Sequence, residues 1–289
     1  MGNGVVADFV GRFHSPDVDG REPVTGRILL SRSQLVLAHD EWKTNVSLTS
    51  VLDVNVGSVP PNLSQFFRDT VTIAYEDGNA RRVAIVESES DTIDRFRGVL
   101  FKALLQDQTV KVKHPAKVGG RVTDASVRTA KLKLSSGRLG VATTSDRIDI
   151  DLSTVMEFSR EQRTMGDSRY PVLAVTHMPA RSATTTHITL PNDRLLNLLG
   201  RYLKLEYDEA LEELEDISVS PDETEILVSL YSAGGTAPLR EIITGDAARV
   251  QLITNGLVEK GLVVDGDEGF SLTPKGRIVA SDRLESVNT

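Results

Sequence analysis

Hydrophobic and polar positions alternate along the first third of the chain in short bursts. Runs rich in Val, Ile and Leu fall at Val5–Phe13, Val24–Leu30, Gln34–His39, Trp42–Ser47, Val51–Val56, Thr70–Tyr75 and Arg82–Val86. Turn residues such as "SRSQ", "HDE" and "EDGN" separate them, so about seven antiparallel strands are expected. The period then changes. Ile93, Phe96, Leu100, Ala103 and Leu104 recur at the spacing that makes one apolar stripe on a helix.

The same pattern returns further on. "ILLSRSQLVLA" from Ile28 lines up with "LKLSSGRLGVA" from Leu132, an offset of 104 residues that also carries "VSLTSV" at Val46 onto "IDLSTV" at Ile150. The second copy closes on Leu195, Leu198, Leu199, Tyr202 and Leu203, again at helical spacing. Seven strands closed by one amphipathic helix is the layout of a pleckstrin-homology-like barrel, whose helix plugs an open end. Two are expected in tandem, over residues 1–108 and 109–209.

Residues 210–289 read differently. Ten acids and no base lie between Glu206 and Glu225, which suggests a solvated linker. It ends in "SPDE", where Ser220 can cap a helix, Pro221 suits its first position and Glu223 completes a capping box. Ile226, Leu227 and Leu230 supply the buried side of that helix. Further helices fit Leu239–Thr244 and Asp246–Lys260, and "LVVDGDEGFSLTP" fits a two-stranded wing before a Gly-punctuated tail. The whole chain is therefore expected to be an α+β multidomain protein, two PH-like β-barrels followed by a winged-helix domain.

Composition narrows the function. No run of about 18 apolar residues occurs, so the chain is expected to be soluble and cytoplasmic. Cysteine is absent, which removes disulfides, thiolate zinc sites and cysteine nucleophiles. The excess of acids over bases gives a net charge of −8, a balance that suits a high-salt cytoplasm and disfavours nonspecific attraction to nucleic acid. His14, His39, His114, His177 and His187 are scattered without metal-ligand spacing. "KVGGRVTD" lacks the later residues of a phosphate loop, and no Gly-x-Ser-x-Gly elbow occurs. Neither catalysis nor a cofactor is expected.

What remains is binding. On a helix over Asp246–Lys260, Val250, Ile253 and Leu257 face inward and Ala248, Leu252, Asn255 and Glu259 face outward, offering little to base edges. From Ile217 onward there are six bases against eleven acids, so a protein-docking role is favoured over DNA binding. Lys111, Lys113, Lys117, Arg121, Arg128, Lys131 and Lys133 form a basic segment with Asp124 as its single acid. It suits lipid head groups, an acidic partner, or simply a solvated hinge and strand faces. The loop "PPNLSQFFRD" from Pro60 holds Leu63, Phe66 and Phe67, which either tuck under their own barrel or anchor a partner. Candidate partner contacts are thus Phe66, Phe67, Lys131, Lys133, Arg249, Leu252 and Asn255.

"VVADFVGRF" from Val5, the module opening "VTGRILLSRSQLVLA", and two such modules before a winged-helix tail together resemble the archaeal taxis proteins called CheF. The resemblance covers nearly the full length and carries no catalytic signature. It implies an adaptor in chemotaxis and phototaxis that links phosphorylated CheY to the switch proteins of the archaellum, with CheC and CheD as further partners. A winged-helix transcriptional regulator and a lipid-binding PH-like module are the alternatives.

Overall fold

The computed structural model describes residues 4–18, 22–61, 63, 66–144, 146–178, 182–215, 217–233, 236–237, 247–266 and 269–287. Each of the seven expected runs forms a strand: β1 (Val5–His14), β2 (Val24–Ser31), β3 (Gln34–Ala38), β4 (Lys43–Ser47), β5 (Val51–Val56), β6 (Thr70–Asp77) and β7 (Ala80–Glu87). They pair antiparallel in the order β4-β3-β2-β1-β7-β6-β5. Alternation sets the faces: Ile28 and Leu30 of β2 and Leu35 and Leu37 of β3 are fully buried, while Arg27, Leu29, Gln34, Val36 and Ala38 stay partly or wholly in solvent. Helix α1 (Ser90–Leu105) follows and buries Ile93, Phe96, Leu100 and Leu104.

The second sheet repeats this strand order. Strands β8 (Thr109–Val118), β10 (Val127–Ser135), β11 (Arg138–Ala142), β12 (Arg147–Asp151), β13 (Val155–Met165), β14 (Ser168–His177) and β15 (Thr184–Thr189) run β12-β11-β10-β8-β15-β14-β13. The repeated sequences Ile28–Ala38 and Leu132–Ala142 span hairpins at matching places in the two sheets, β2–β3 and β10–β11. One element is extra: β9 (Arg121–Val122) pairs with the end of β8. The turn between them is Gly119–Gly120, and both residues take positive φ, which a tight hairpin turn demands and glycine supplies without a Cβ clash.

Helix α2 (Asp193–Glu215) corrects the expected linker, because the acidic stretch stays helical as far as Glu215. Glu, Leu and Ala are strong helix formers, and the edge contact of Tyr207 with Phe158 at 5.4 Å holds the helix against the second sheet as it leaves the core. The remainder comprises α3 (Pro221–Ser232), β16 (Thr236–Ala237), α4 (Ala247–Glu259), β17 (Val263–Gly266), β18 (Gly269–Leu272) and α5 (Pro274–Val287). Its three strands order as β16-β18-β17. The supposed Gly-punctuated tail is therefore helical: Thr273 caps α5 by accepting from Gly276 N at 3.0 Å, and Pro274 suits its first turn. The expected helix over Leu239–Thr244, and Asp267 and Glu268 of the expected wing turn, lie outside the described residues.

Among the described residues, two main cores result, beside a small cluster of Leu63, Phe67 and Ile85. One runs unbroken from Phe13 to Tyr207 and joins both sheets through α1 and α2, with Phe101 and Tyr202 ring centroids 5.6 Å apart. Arg194 donates to Val51 O at 2.6 Å and Arg201 pairs with Asp53 at 3.2 Å, so α2 is also fastened to β5 of the first sheet. A smaller core gathers Ile226, Leu227, Leu257, Leu262, Phe270 and Ala280 in the end unit. The molecule is mostly β, with two large antiparallel sheets and a few helices.

Candidate interaction surfaces

The seven candidate residues fall in three places. Phe67 turns inward, 6% exposed against Leu63 and Ile85, and Phe66 is half-buried at the rim of the same small cluster. Arg12 lies over the Phe67 ring, 6.0 Å from its centroid. The apolar loop thus packs mainly on its own sheet, as expected where Leu and Phe would otherwise meet water.

Lys131 and Lys133 project from β10 on the side away from Ala130, Leu132 and Leu134, all buried. Lys131 donates to Thr109 Oγ1 at 2.8 Å, and Lys133 pairs with Asp107. Pairing register brings other members of the basic segment beside them: Lys111 lies across from Thr129, and Lys113 across from Val127. Arg128 faces the opposite way, toward Asp146 at 3.3 Å, so the seven bases divide between two faces.

Leu252 stands 73% exposed on α4, flanked by exposed Asn255 and Glu259, while Val250 and Leu257 are buried. Two bases of this unit are paired with acids. Arg249 pairs with Asp222 of α3 at 2.5 Å. Lys260 Nζ donates to both carboxylate oxygens of Glu223 at 2.7 Å and to Ser218 O at 2.8 Å. Ser220 and Glu223 form the expected reciprocal cap, with Ser220 N donating to Glu223 at 2.7 Å. Burial alone would raise the Glu223 carboxyl, but hydrogen bonds from Lys260 and Ser220 outweigh it and hold the group below its usual range.

The sequence shows no metal-ligand spacing among the histidines, and the structure buries two of them, His177 and His187, with His114 partly buried. His177 is 3% exposed at the end of β14 with both ring nitrogens unpartnered among the described residues. His114 stacks on it at 6.2 Å between centroids and hydrogen-bonds Thr186 Oγ1 through Nδ1 at 2.7 Å. Burial, then the nearby His114, pushes the His177 imidazole down to about 4. Its strand periodicity with Leu173 and Val175 was the available signal. Among the described residues, no group of three or more His, Asp or Glu is placed to hold a metal ion, and no helix is long and apolar enough to cross a membrane.

Two large antiparallel sheets and a helical end unit define a β-rich protein, and sequence comparison gives its family. The chain belongs to the CheF family: residues 5–209 match the model described as archaeal chemotaxis signal transduction system protein F. It is similar to taxis protein CheF2 of Halobacterium salinarum, 42% identical over 288 residues that span all of both chains. Taxis protein CheF1 of the same organism is 26% identical over 287 residues, covering 96% of this chain and 97% of the relative.

Proposed function

We propose that this chain is a non-enzymatic adaptor in archaeal chemotaxis and phototaxis, coupling the phosphorylated response regulator CheY to the switch proteins of the archaellum, with CheC and CheD as further contacts in the cytoplasm. The observation that carries this reading is the end-to-end similarity to taxis proteins. Two further features support it. The cationic face of the second sheet and the exposed α4 face around Leu252 belong to separately cored parts, as an adaptor touching two proteins requires. The strand order shared by the two sheets, each followed by a helix that packs into the core, supports PH-like modules at residues 1–108 and 109–209. The arrangement of α3, α4 and the three-stranded sheet supports a winged helix within residues 210–289.

This winged helix is read as a protein-docking module. A DNA reader needs free cations, whereas Arg249 and Lys260 are engaged by Asp222 and Glu223. Signalling by binding alone requires that the adaptor prefer one form of CheY, since equal affinity transmits nothing. Tenfold preference needs about 1.4 kcal/mol, within reach of one or two contacts. The purified chain should co-elute with acyl-phosphate-activated CheY more strongly than with unphosphorylated CheY. Equal retention of the two forms would sink the proposal.

A further inference from the structure

The basic segment becomes a surface only through strand pairing. On the outer side of the second sheet, Lys131 lies directly opposite Thr109, and Lys113 lies opposite both Val127 and His187. Past an irregularity in β8, Lys117 lies opposite Thr185 on one side and Val122 on the other. Opposite residues share a face, so Lys111, Lys113, Lys117, Lys131 and Val122 form one array, with roughly 5 Å between strands and about 7 Å between alternate residues. The inner side carries Val110, Val112, Ala130 and Leu132, all buried.

These ammonium groups are not neutralised from within. Lys111 sits over the Tyr170 ring at 4.4 Å and donates to its hydroxyl at 2.9 Å, and Lys131 donates to a threonine hydroxyl. Lys113 and Lys117 have no carboxylate within ion-pair distance among the described residues, and Glu161, whose carboxyl feels Lys117, is already paired with Arg163. The stems of Lys111, Lys113 and Lys117 are half-buried, over a sheet face where Thr185 and His187 are almost fully covered. Stems held this way lose less side-chain entropy on meeting a partner. Val122, 75% exposed at the edge of the array, adds the apolar contact that charged fields lack.

From this juxtaposition we infer that the outer face of the second sheet is the docking surface for a protein partner presenting a carboxylate-rich patch, a deepening that rests on the adaptor reading. Charge complementarity selects acid. Scale and net charge select protein: the array is a few residues wide, and it belongs to a chain of net charge −8. That net charge opposes long-range attraction to an extended polyanion such as a membrane or nucleic acid, whereas contact pairs around an apolar residue need only a local match.

The test uses the full chain with the substitutions Lys113→Glu, Lys117→Glu and Lys131→Glu together, and separately Val122→Asp, a milder change at an exposed position. Binding is measured by biolayer interferometry against activated CheY and against the archaellum switch proteins, with phosphatidylserine vesicles and a DNA duplex as further arms. One of the two proteins should bind the triple variant at least roughly tenfold more weakly and Val122→Asp several-fold more weakly, with the other protein unaffected. Replacing the same lysines by Arg should preserve binding. Unchanged affinity of both proteins for both variants overturns the inference while leaving the adaptor reading intact. Loss confined to vesicles or DNA overturns it in favour of those ligands. If the wild-type chain binds neither protein, the adaptor reading fails, and a polyglutamate peptide then tests the face alone: lysine-dependent binding supports it and no binding overturns it.

Discussion

His177 costs the fold something at low pH, and the sign follows from its burial. The unfolded chain takes up that proton near pH 6.5, the folded chain only at about 4. Between those values the unfolded state binds more protons, so stability falls as the pH falls; above them this residue contributes no pH dependence. Burial, then Arg128, lowers the His114 imidazole too, which adds to the same trend. The difference in melting temperature between wild type and His177→Phe should widen in favour of the variant from pH 6.5 to 4, by up to about 3 kcal/mol in stability. Parallel curves would show that the ring is solvated. The two phenylalanines of the Pro60 loop separate in the same way. Phe67→Ala should cost about 3 kcal/mol and Phe66→Ala about 1, so only Phe66 can be used to probe partner contact without weakening the fold. Equal losses in urea melts would contradict that division. Nothing in "NLSQFF" announced which ring turns inward, because both choices satisfy a loop and only the position of Ile85 on β7 decides.

Single elements were legible where a local rule acts alone. The cap at Ser220 needs only the four residues "SPDE", and it forms as written. Ser220→Ala should lower the stability of the end unit by about 1 kcal/mol and leave the sheets untouched. Glu223→Ala should cost more, because it also strips Lys260 of its carboxylate. Hydrogen exchange in α3 and β8 reads the two parts separately, and a loss of protection in β8 would argue against this independence. The same rule was overlooked in "TPKG", where Thr273 and Pro274 start α5 although Gly276 suggested a break. The acidic end of α2 misled for a different reason: ten acids imply solvation, but solvation does not forbid a helix whose earlier turns are already anchored. The cationic array of the second sheet was visible only as a run of bases. Its division into two faces depends on register, which pairs Lys131 with Thr109 and turns Arg128 toward Asp146.

At the scale of the molecule the repeat predicts two barrels, but it is silent on how copies pack, since each copy's pattern is satisfied by its own strands. The structure joins them through one continuous core in which α1 and α2 face each other. Tyr202 is at the centre of that joint: fully buried, in ring contact with Phe101, and donating through its hydroxyl to Ser135 O at 3.2 Å. Removing the ring leaves a cavity bordered by both halves. Tyr202→Ala should therefore lower global stability by about 4 kcal/mol, whereas Tyr202→Phe, which keeps the packing and loses one hydrogen bond, should lose about 1. The diagnostic quantity is where protection against hydrogen exchange falls. A shared core requires β5 and β10 to lose it together in Tyr202→Ala, because neither sheet can open while the other stays closed. If β10 alone were affected, the two sheets would be independent bodies that merely touch. An event at the lysine face could then not reach the first sheet through packed side chains.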